Sequence, residues 1–128
     1  MSASILFSVA FGGALGAVSR YALMSAIGHY LHAGFPYATL VVNVLGSFVL
    51  GSLIEIMALS WSPGQEMRSF LIVGVLGAFT TFSTFSQDVV FLMERGQLAS
   101  AGTYIALSVV LTIVGLFAGM ALFRQVLT

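Results

Sequence analysis

Hydroxyl and aromatic side chains are concentrated in one short stretch of an otherwise apolar chain. The stretch reads Thr80-Thr81-Phe82-Ser83-Thr84-Phe85-Ser86, and Gly74 and Gly77 precede it. Thr and Ser side chains compete for backbone hydrogen bonds and disfavour a continuous helix, and glycine permits unusual backbone angles. The sequence therefore predicts a helix break near residues 78–82. At membrane depth such a break is tolerated only beside protein or a wet cavity, where freed carbonyl groups suit a small cation.

Phe82 and Phe85 lie three residues apart and would project from nearly the same side of the helix that follows the break. Phenylalanine at this spacing is usually core. The edge of an aromatic ring, however, carries partial positive charge, so two ring edges turned into a pore would attract an anion without a full charge. The sequence leaves both interpretations open.

Asn43 places an amide about seven residues into the second long apolar stretch, within Thr39-Leu-Val-Val-Asn43. One interpretation is an interhelical hydrogen bond, worth about 1 kcal/mol or less in membrane bundles. The other is a donor in a polar pathway, because the amide NH2 can be offered to an anion. Position alone does not separate them.

Tyr104, Ser108 and Thr112 recur at i, i+4 and i+8, so their hydroxyls line one face over roughly 12 Å of helix. The alternative is that such hydroxyls bond back to carbonyls one turn earlier. Three hydroxyls in register favour a polar track.

The remaining polar residues lie near the ends of the apolar stretches. Arg20 either extends towards the headgroups or raises the anion concentration at a pore mouth. Glu55 and Asp88 lie where solvation or pairing with an arginine would be ordinary. His29 and His32 fall in a predicted loop and lack a third ligand, which disfavours a metal site.

Composition places these residues in a membrane. The chain has 128 residues, of which 6% are charged and 59% hydrophobic, and its mean hydropathy is +1.10. A soluble domain has about 25% charged residues. Zero net charge without a basic cluster argues against a nucleic-acid partner. The absence of cysteine excludes disulfides, thiolate nucleophiles and cysteine metal sites.

The spacing of charges and turn residues predicts an all-α integral membrane protein, with four helices near 4–28, 37–59, 69–94 and 99–126, since a bilayer needs roughly 20 apolar residues per span. These helices form a single domain over residues 1–128. Pro36 is placed to start the second helix and Gly96 to end the third. Small residues four apart predict close helix packing; the pairs are Gly12 with Gly16, Ser47 with Gly51, and Gly115 with Gly119.

The four arginines are nearly balanced across the predicted membrane. Arg68 and Arg124 lie on one side, and Arg95 with Arg20 lies on the other. Orientation normally follows an excess of Lys and Arg in the cytoplasmic loops. The balance leaves open insertion in both orientations, or a weak bias set by other features.

Three motifs resemble a known family: Gly12-Gly13-x-x-Gly16-x-x-x-Arg20, Thr39-Leu-x-x-Asn43, and Gly77-x-x-Thr80-Thr81-Phe82-Ser83-Thr84-Phe85-Ser86. The chain resembles the Fluc fluoride channels, also called CrcB proteins, over essentially its full length. The resemblance implies a multi-pass protein of the cell inner membrane. It would be no enzyme but a passive, fluoride-selective channel that exports fluoride which entered the cell as HF. It also implies an antiparallel, dual-topology homodimer with two pores and a central structural sodium ion.

The same resemblance assigns roles to individual residues. Phe82 and Phe85 would turn their ring edges to fluoride beside the Asn43 amide, and Gly77 and Thr80 would give backbone carbonyls to sodium. The polar track would consist of Tyr104, Ser108 and Thr112, the last standing where relatives often have Ser. Asp88 stands where several relatives are expected to have Glu, and it shares with Arg20 a vestibule or structural role.

Two other functions compete with this interpretation. A small multidrug-type proton-coupled antiporter also uses four short helices, but it needs a carboxylate deep in the first helix, and residues 1–19 contain none. A non-transporting membrane adaptor would leave the Thr-Phe-Ser repeat unexplained.

Overall fold

The computed structural model describes residues 1–31 and 34–128, and the described part contains helices but no strands. Four helices are long and apolar enough to cross a membrane: α1 (Ala3–Tyr30), α2 (Tyr37–Leu59), α3 (Gln65–Glu94) and α4 (Leu98–Leu127). This confirms the predicted all-α membrane fold.

The helix ends follow local chemistry. The Ser2 hydroxyl accepts a hydrogen bond from the Ile5 N–H at 3.3 Å and caps α1. Pro36 immediately precedes α2, as predicted. Between α3 and α4, Gly96 has a φ of 76°, and the Gln97 N–H donates to the Leu92 carbonyl at 2.9 Å. This is the left-handed helix ending that glycine favours.

Two predicted positions differ from the structure. α3 begins at Gln65, four residues before the predicted start at 69, because a helical turn forms directly after Gly64 and keeps Arg68 inside the helix. His29 lies in the last turn of α1 and was wrongly predicted in a loop. His32 lies outside the described residues.

α3 is interrupted, as predicted. Its first half, residues 65–79, includes a wide π-helical segment, Ser69–Leu76. Thr80 and Thr81 then take extended backbone angles, with ψ of 159° and 117°, and the helix resumes over Phe82–Glu94. The break lies inside the predicted 78–82 window.

The predicted role of the glycines in this break is wrong. Gly77 has ordinary helical angles, φ −61° and ψ −34°, and among the described residues positive φ occurs only at Gly34 and Gly96. Gly74 instead allows close contact, because a Cβ there would lie 2.8 Å from the Cα of Gly12. The threonines, whose side chains satisfy backbone groups locally, terminate the helix.

Glycine contacts bring the helices together in two pairs. α1 packs on the first half of α3, where a Cβ on Gly16 would lie 2.1 Å from the Val75 carbonyl oxygen. α2 packs along α4, where a Cβ on Gly51 would lie 2.0 Å from the Leu116 carbonyl oxygen. Real Cβ atoms cannot approach so closely, so the glycines permit these helix crossings.

Few side chains are buried within the chain, and many large apolar ones face outward. The buried cluster consists of Leu40, Leu92, Ala101 and Tyr104. Outward-facing apolar residues include Phe7, Phe11, Val18, Val109 and Phe117, each more than half exposed. Such a surface would aggregate in water and fits contact with lipid.

Candidate functional site

A cavity of about 340 Å³ opens beside the interruption of α3. α2 contributes its middle residues, α3 the residues around the break, and α4 one face. The residues that bear polar side chains in its lining are Asn43, Ser47, Thr80, Thr81, Ser108 and Thr112, and Phe82 and Phe85 line it too. No charged residue lines the cavity within the described part of the chain.

The amide of Asn43 holds the extended backbone of α3. Its Nδ2 donates to the Thr81 carbonyl at 3.0 Å, and its Oδ1 accepts from the Thr81 N–H at 2.8 Å. The interhelical hydrogen bond considered from the sequence is therefore present. Within the described residues the second Nδ2 hydrogen has no partner, so Asn43 retains one donor at the cavity.

The interruption leaves selected carbonyl groups free. The Leu76 carbonyl accepts from the Thr80 N–H at 3.1 Å and from the Thr80 hydroxyl at 3.1 Å. The Gly77 carbonyl loses its helical donor because the Thr81 N–H is bonded to Asn43. Over residues 1–31 and 34–128, no hydrogen bond to the Gly77 or Thr80 carbonyl oxygen is present.

The two phenylalanines that follow the break form a close pair. The ring centroids of Phe82 and Phe85 are 5.3 Å apart and their planes meet at 49°. Phe85 also packs on Tyr104, with centroids 5.1 Å apart, whereas the Phe82 side chain is 77% exposed. The two rings lie on the same side of the helix, as predicted, but only Phe85 packs against a residue of α4.

The three hydroxyl residues of α4 lie on one face but differ in their hydrogen bonds. Tyr104 is fully buried and donates to the Asp88 carboxylate at 2.9 Å. Thr112 bonds back to the Ser108 carbonyl one turn earlier. The Ser108 hydroxyl is buried and has no partner within the described residues, although it borders the cavity. Tyr104 itself does not line this cavity and instead supports Phe85.

Arg20 and Asp88 lie outside the cavity lining. The Arg20 Nε donates to the Ala78 carbonyl at 3.0 Å, and the side chain is half-buried. Asp88 is held by Tyr104 and borders a second cavity near Arg95. The buried carboxylate of Glu55 pairs with Arg124 at 2.8 Å.

Two residues that shape the site, Thr81 and Gly46, are not among the predicted site residues. Thr81 accepts a hydrogen bond from the Thr84 N–H at 3.2 Å and so caps the second half of α3. A threonine directly before a helix is a recognisable N-cap signal. Gly46 faces Thr80, whose Cγ2 would lie 2.3 Å from a Cβ at position 46. That contact depends on tertiary packing and has no sequence signal.

The described residues contain no group of three His, Cys, Asp or Glu side chains suited to a metal. Near the cavity, the oxygen atoms that could hold a cation are the backbone carbonyl oxygens of Gly77 and Thr80, which accept no hydrogen bond in the described part of the chain. Carbonyl oxygens of unwound membrane helices are ligands that fit a monovalent cation.

Fold and site together define a multi-pass, all-α membrane protein whose third helix is interrupted beside an uncharged polar cavity. A model of the family described as CrcB-like protein, Camphor Resistance (CrcB), matches residues 7–120. The chain belongs to the CrcB family.

Relatives match over nearly the whole length. A protein of Rhodospirillum centenum is 52% identical over 120 residues, covering 94% of this chain and 95% of the relative. One from Nitrobacter winogradskyi is 44% identical over 98% of this chain and 100% of the relative, and one from Agrobacterium fabrum is 48% identical over 91% and 94%. Each of these proteins is named Fluoride-specific ion channel FluC.

Proposed function

We propose that this chain forms a passive, fluoride-selective ion channel. The observation that carries the proposal is the cavity at the α3 break, which is lined by neutral donors and phenylalanine rings and by no described charged residue. Membership of the CrcB family and the names of the three relatives support the choice of fluoride.

The cavity offers the kinds of group that a small anion needs. Fluoride is small and tightly hydrated, so a pore must replace its water with hydrogen donors at close range. Ser108 offers a buried hydroxyl that has no partner among the described residues, and Asn43 offers its second Nδ2 hydrogen. Phe82 and Phe85 add the positive edges of their rings. Neutral donors bind weakly enough to let the ion leave again.

A second copy of the chain would complete the pathway. Phe82, one of the residues that line the cavity, is 77% exposed. An antiparallel homodimer would cover Phe82 and give two symmetric pores. Arg68 and Arg124 on one side of the membrane and Arg95 on the other give only a small difference in charge, which fits insertion in both orientations.

A structural sodium ion would lie where two copies meet. Each copy would supply the Gly77 and Thr80 carbonyl oxygens, which have no hydrogen-bond donor in the described part of the chain. Such an ion would neutralise the clustered carbonyl dipoles and link the subunits.

In a cell this channel would lie in the inner membrane and would export fluoride. HF crosses the bilayer as a neutral molecule and ionises in the less acidic cytoplasm, where the anion is trapped. A passive channel lets fluoride leave down its electrochemical gradient and needs no nucleotide or catalytic residue.

The proposal is tested by reconstituting the purified protein into liposomes loaded with potassium fluoride. Efflux is followed with a fluoride electrode after a potassium ionophore is added, and chloride-loaded liposomes serve as the control. Rapid release of fluoride alone is expected. Retention of fluoride by liposomes that contain folded dimers would contradict the proposal. Fluoride flux driven only by a proton gradient would favour the antiporter, and no transport at all would favour the adaptor.

A further inference from the structure

We infer that Arg20 is a positioning residue whose Nε–H holds the Ala78 carbonyl and thereby keeps the Gly77 and Thr80 carbonyls directed at the proposed cation. This inference rests on the proposed channel and its sodium site. It assigns to Arg20 a hydrogen-bond function at the helix break, in place of attracting anions to a pore mouth.

The placement of Arg20 follows from the glycine face of α1. Gly12, Gly16 and Arg20 are spaced four residues apart, so they lie on one side of the helix. A Cβ on Gly12 would lie 2.3 Å from the Phe70 carbonyl, and a Cβ on Gly16 would lie 3.1 Å from the Ala78 Cβ. The glycines thus bring α1 against the first half of α3. One turn after Gly16, Arg20 contacts the end of this first half at Ala78.

The contact completes the hydrogen bonding of the broken backbone. In a continuous helix the Ala78 carbonyl would accept from the N–H of residue 82, but extended backbone at Thr80 and Thr81 intervenes. The Arg20 Nε replaces that donor at 3.0 Å. Asn43 satisfies Thr81 on the other side of the break. Along the chain the Gly77 carbonyl directly precedes the Arg20 contact and the Thr80 carbonyl directly precedes the Asn43 contact, and within the described residues neither carbonyl accepts a hydrogen bond.

The position of Arg20 does not suit a residue that lines the pore. Arg20 is absent from the lining of the cavity at the break, and it borders a separate surface depression with Ala17, Tyr21, Met24 and Ser25. The end of the first half of α3 also carries the partial negative charge of a helix C-terminus, which a nearby donor stabilises.

Two uncharged substitutions of Arg20 distinguish the effect of its hydrogen-bond donor from the effect of its charge. In Arg20→Gln, the side-chain Nε2 lies the same number of bonds from Cα as the arginine Nε, so a donor remains without the charge. In Arg20→Met, a methyl group takes that place and donates nothing. Arg68→Met is the matched control, because it removes one charge from an exposed arginine.

The first readout is the sodium concentration that half-restores fluoride efflux after purification in N-methylglucamine. We expect Arg20→Gln and Arg68→Met to stay within about threefold of the wild-type value, and Arg20→Met to need about tenfold more sodium, a change of about 1.4 kcal/mol. Equal behaviour of Arg20→Gln and Arg20→Met would overturn the inference. So would an unchanged sodium requirement with a changed dependence on fluoride concentration, because that result would assign Arg20 to the anion.

The second readout does not depend on fluoride transport. Hydrogen exchange of the amides at residues 79–82 should be at least fivefold faster in Arg20→Met than in Arg20→Gln. Equal exchange in the two variants would overturn the inference even if the wild-type protein conducts fluoride. If the wild-type protein conducts no fluoride but the variants show the expected difference in hydrogen exchange, the proposed function is wrong and the Arg20–Ala78 contact is supported.

Discussion

Asn43 in α2 is joined to Thr81 in the interruption of α3 by two hydrogen bonds, from Nδ2 to the Thr81 carbonyl at 3.0 Å and from the Thr81 N–H to Oδ1 at 2.8 Å. The pair replaces the helical hydrogen bonds that the extended residues lose. It therefore both fixes the break and leaves the Gly77 carbonyl without its usual donor.

Asn43→Ala is expected to reduce fluoride efflux at least tenfold. The substitution leaves two half-buried backbone groups of Thr81 without partners, at about 1–3 kcal/mol each, and removes a donor from the cavity. Efflux assays with size-exclusion analysis of the dimer measure the effect. Ser60→Ala is the control, because within the described residues the hydroxyl of Ser60 bonds only to the Ile56 carbonyl, one turn earlier at the end of α2. If Asn43→Ala releases fluoride as fast as the wild-type protein, Asn43 is not part of the pore.

Ser108→Ala should reduce efflux about tenfold without loss of thermal stability. Its hydroxyl has no partner in the described part of the chain, so its removal breaks no hydrogen bond of the fold. Thr112→Val is the matched comparison, since the Thr112 hydroxyl is already bonded to the Ser108 carbonyl. We expect a smaller loss there, within about threefold. A larger loss of fluoride efflux in Thr112→Val than in Ser108→Ala would contradict the assignment of the Ser108 hydroxyl as the donor to fluoride.

Replacing Phe82 and Phe85 together by isoleucine is expected to abolish fluoride efflux while dimers still form. Isoleucine keeps an apolar side chain but lacks the polarised ring edge. Of the single variants, Phe85→Ile should lower the melting temperature more, because Phe85 packs on Tyr104 whereas Phe82 is largely exposed. Normal efflux in the double variant would show that the rings do not contact the ion.

Gly16→Ala should destabilise the protein by about 1–3 kcal/mol, because the new Cβ would lie 2.1 Å from the Val75 carbonyl and force α1 away from α3. Gly13→Ala is the matched control on the adjacent position. A Cβ there meets no atom within 4 Å in the described residues, so an effect within about 0.5 kcal/mol is expected. Melting in detergent measures both. Equal melting temperatures would contradict the close α1–α3 contact.

Exchange of sodium for N-methylglucamine during purification is expected to weaken the dimer and reduce fluoride efflux. The organic cation is too large for a site formed by the Gly77 and Thr80 carbonyls. Sodium should restore both properties when it is added back. Unchanged dimers and efflux after complete exchange would argue against a structural cation.

Much of the fold was predictable because lipid imposes simple constraints. Each span needs about 20 apolar residues, and turn residues such as Pro36 and Gly96 lie where the helices begin and end. The break was predictable from the competing hydroxyls, and Thr80 and Thr81 are indeed extended. The proposed role of Gly74 and Gly77 was wrong because Gly77 keeps ordinary helical angles and Gly74 serves contact with α1, which a backbone preference does not reveal.

The sequence predicted which residues belong to the candidate site better than it predicted the contacts that these residues make. Asn43, Ser108, Phe82 and Phe85 border the same cavity, but the sequence could not separate a satisfied hydroxyl at Thr112 from a free one at Ser108. The contact of Arg20 with Ala78 joins residues 58 positions apart. It depends on how closely α1 approaches α3, which is a property of packing.

The most direct measurement of the central claim is the reversal potential of the purified protein in a planar bilayer, with both anions on both sides, a fluoride gradient in one direction and a chloride gradient in the other. A passive fluoride channel gives a current that reverses at the fluoride equilibrium potential, and an imposed pH gradient does not shift it. A current that reverses at the chloride potential, or one that follows the proton gradient, would contradict the account.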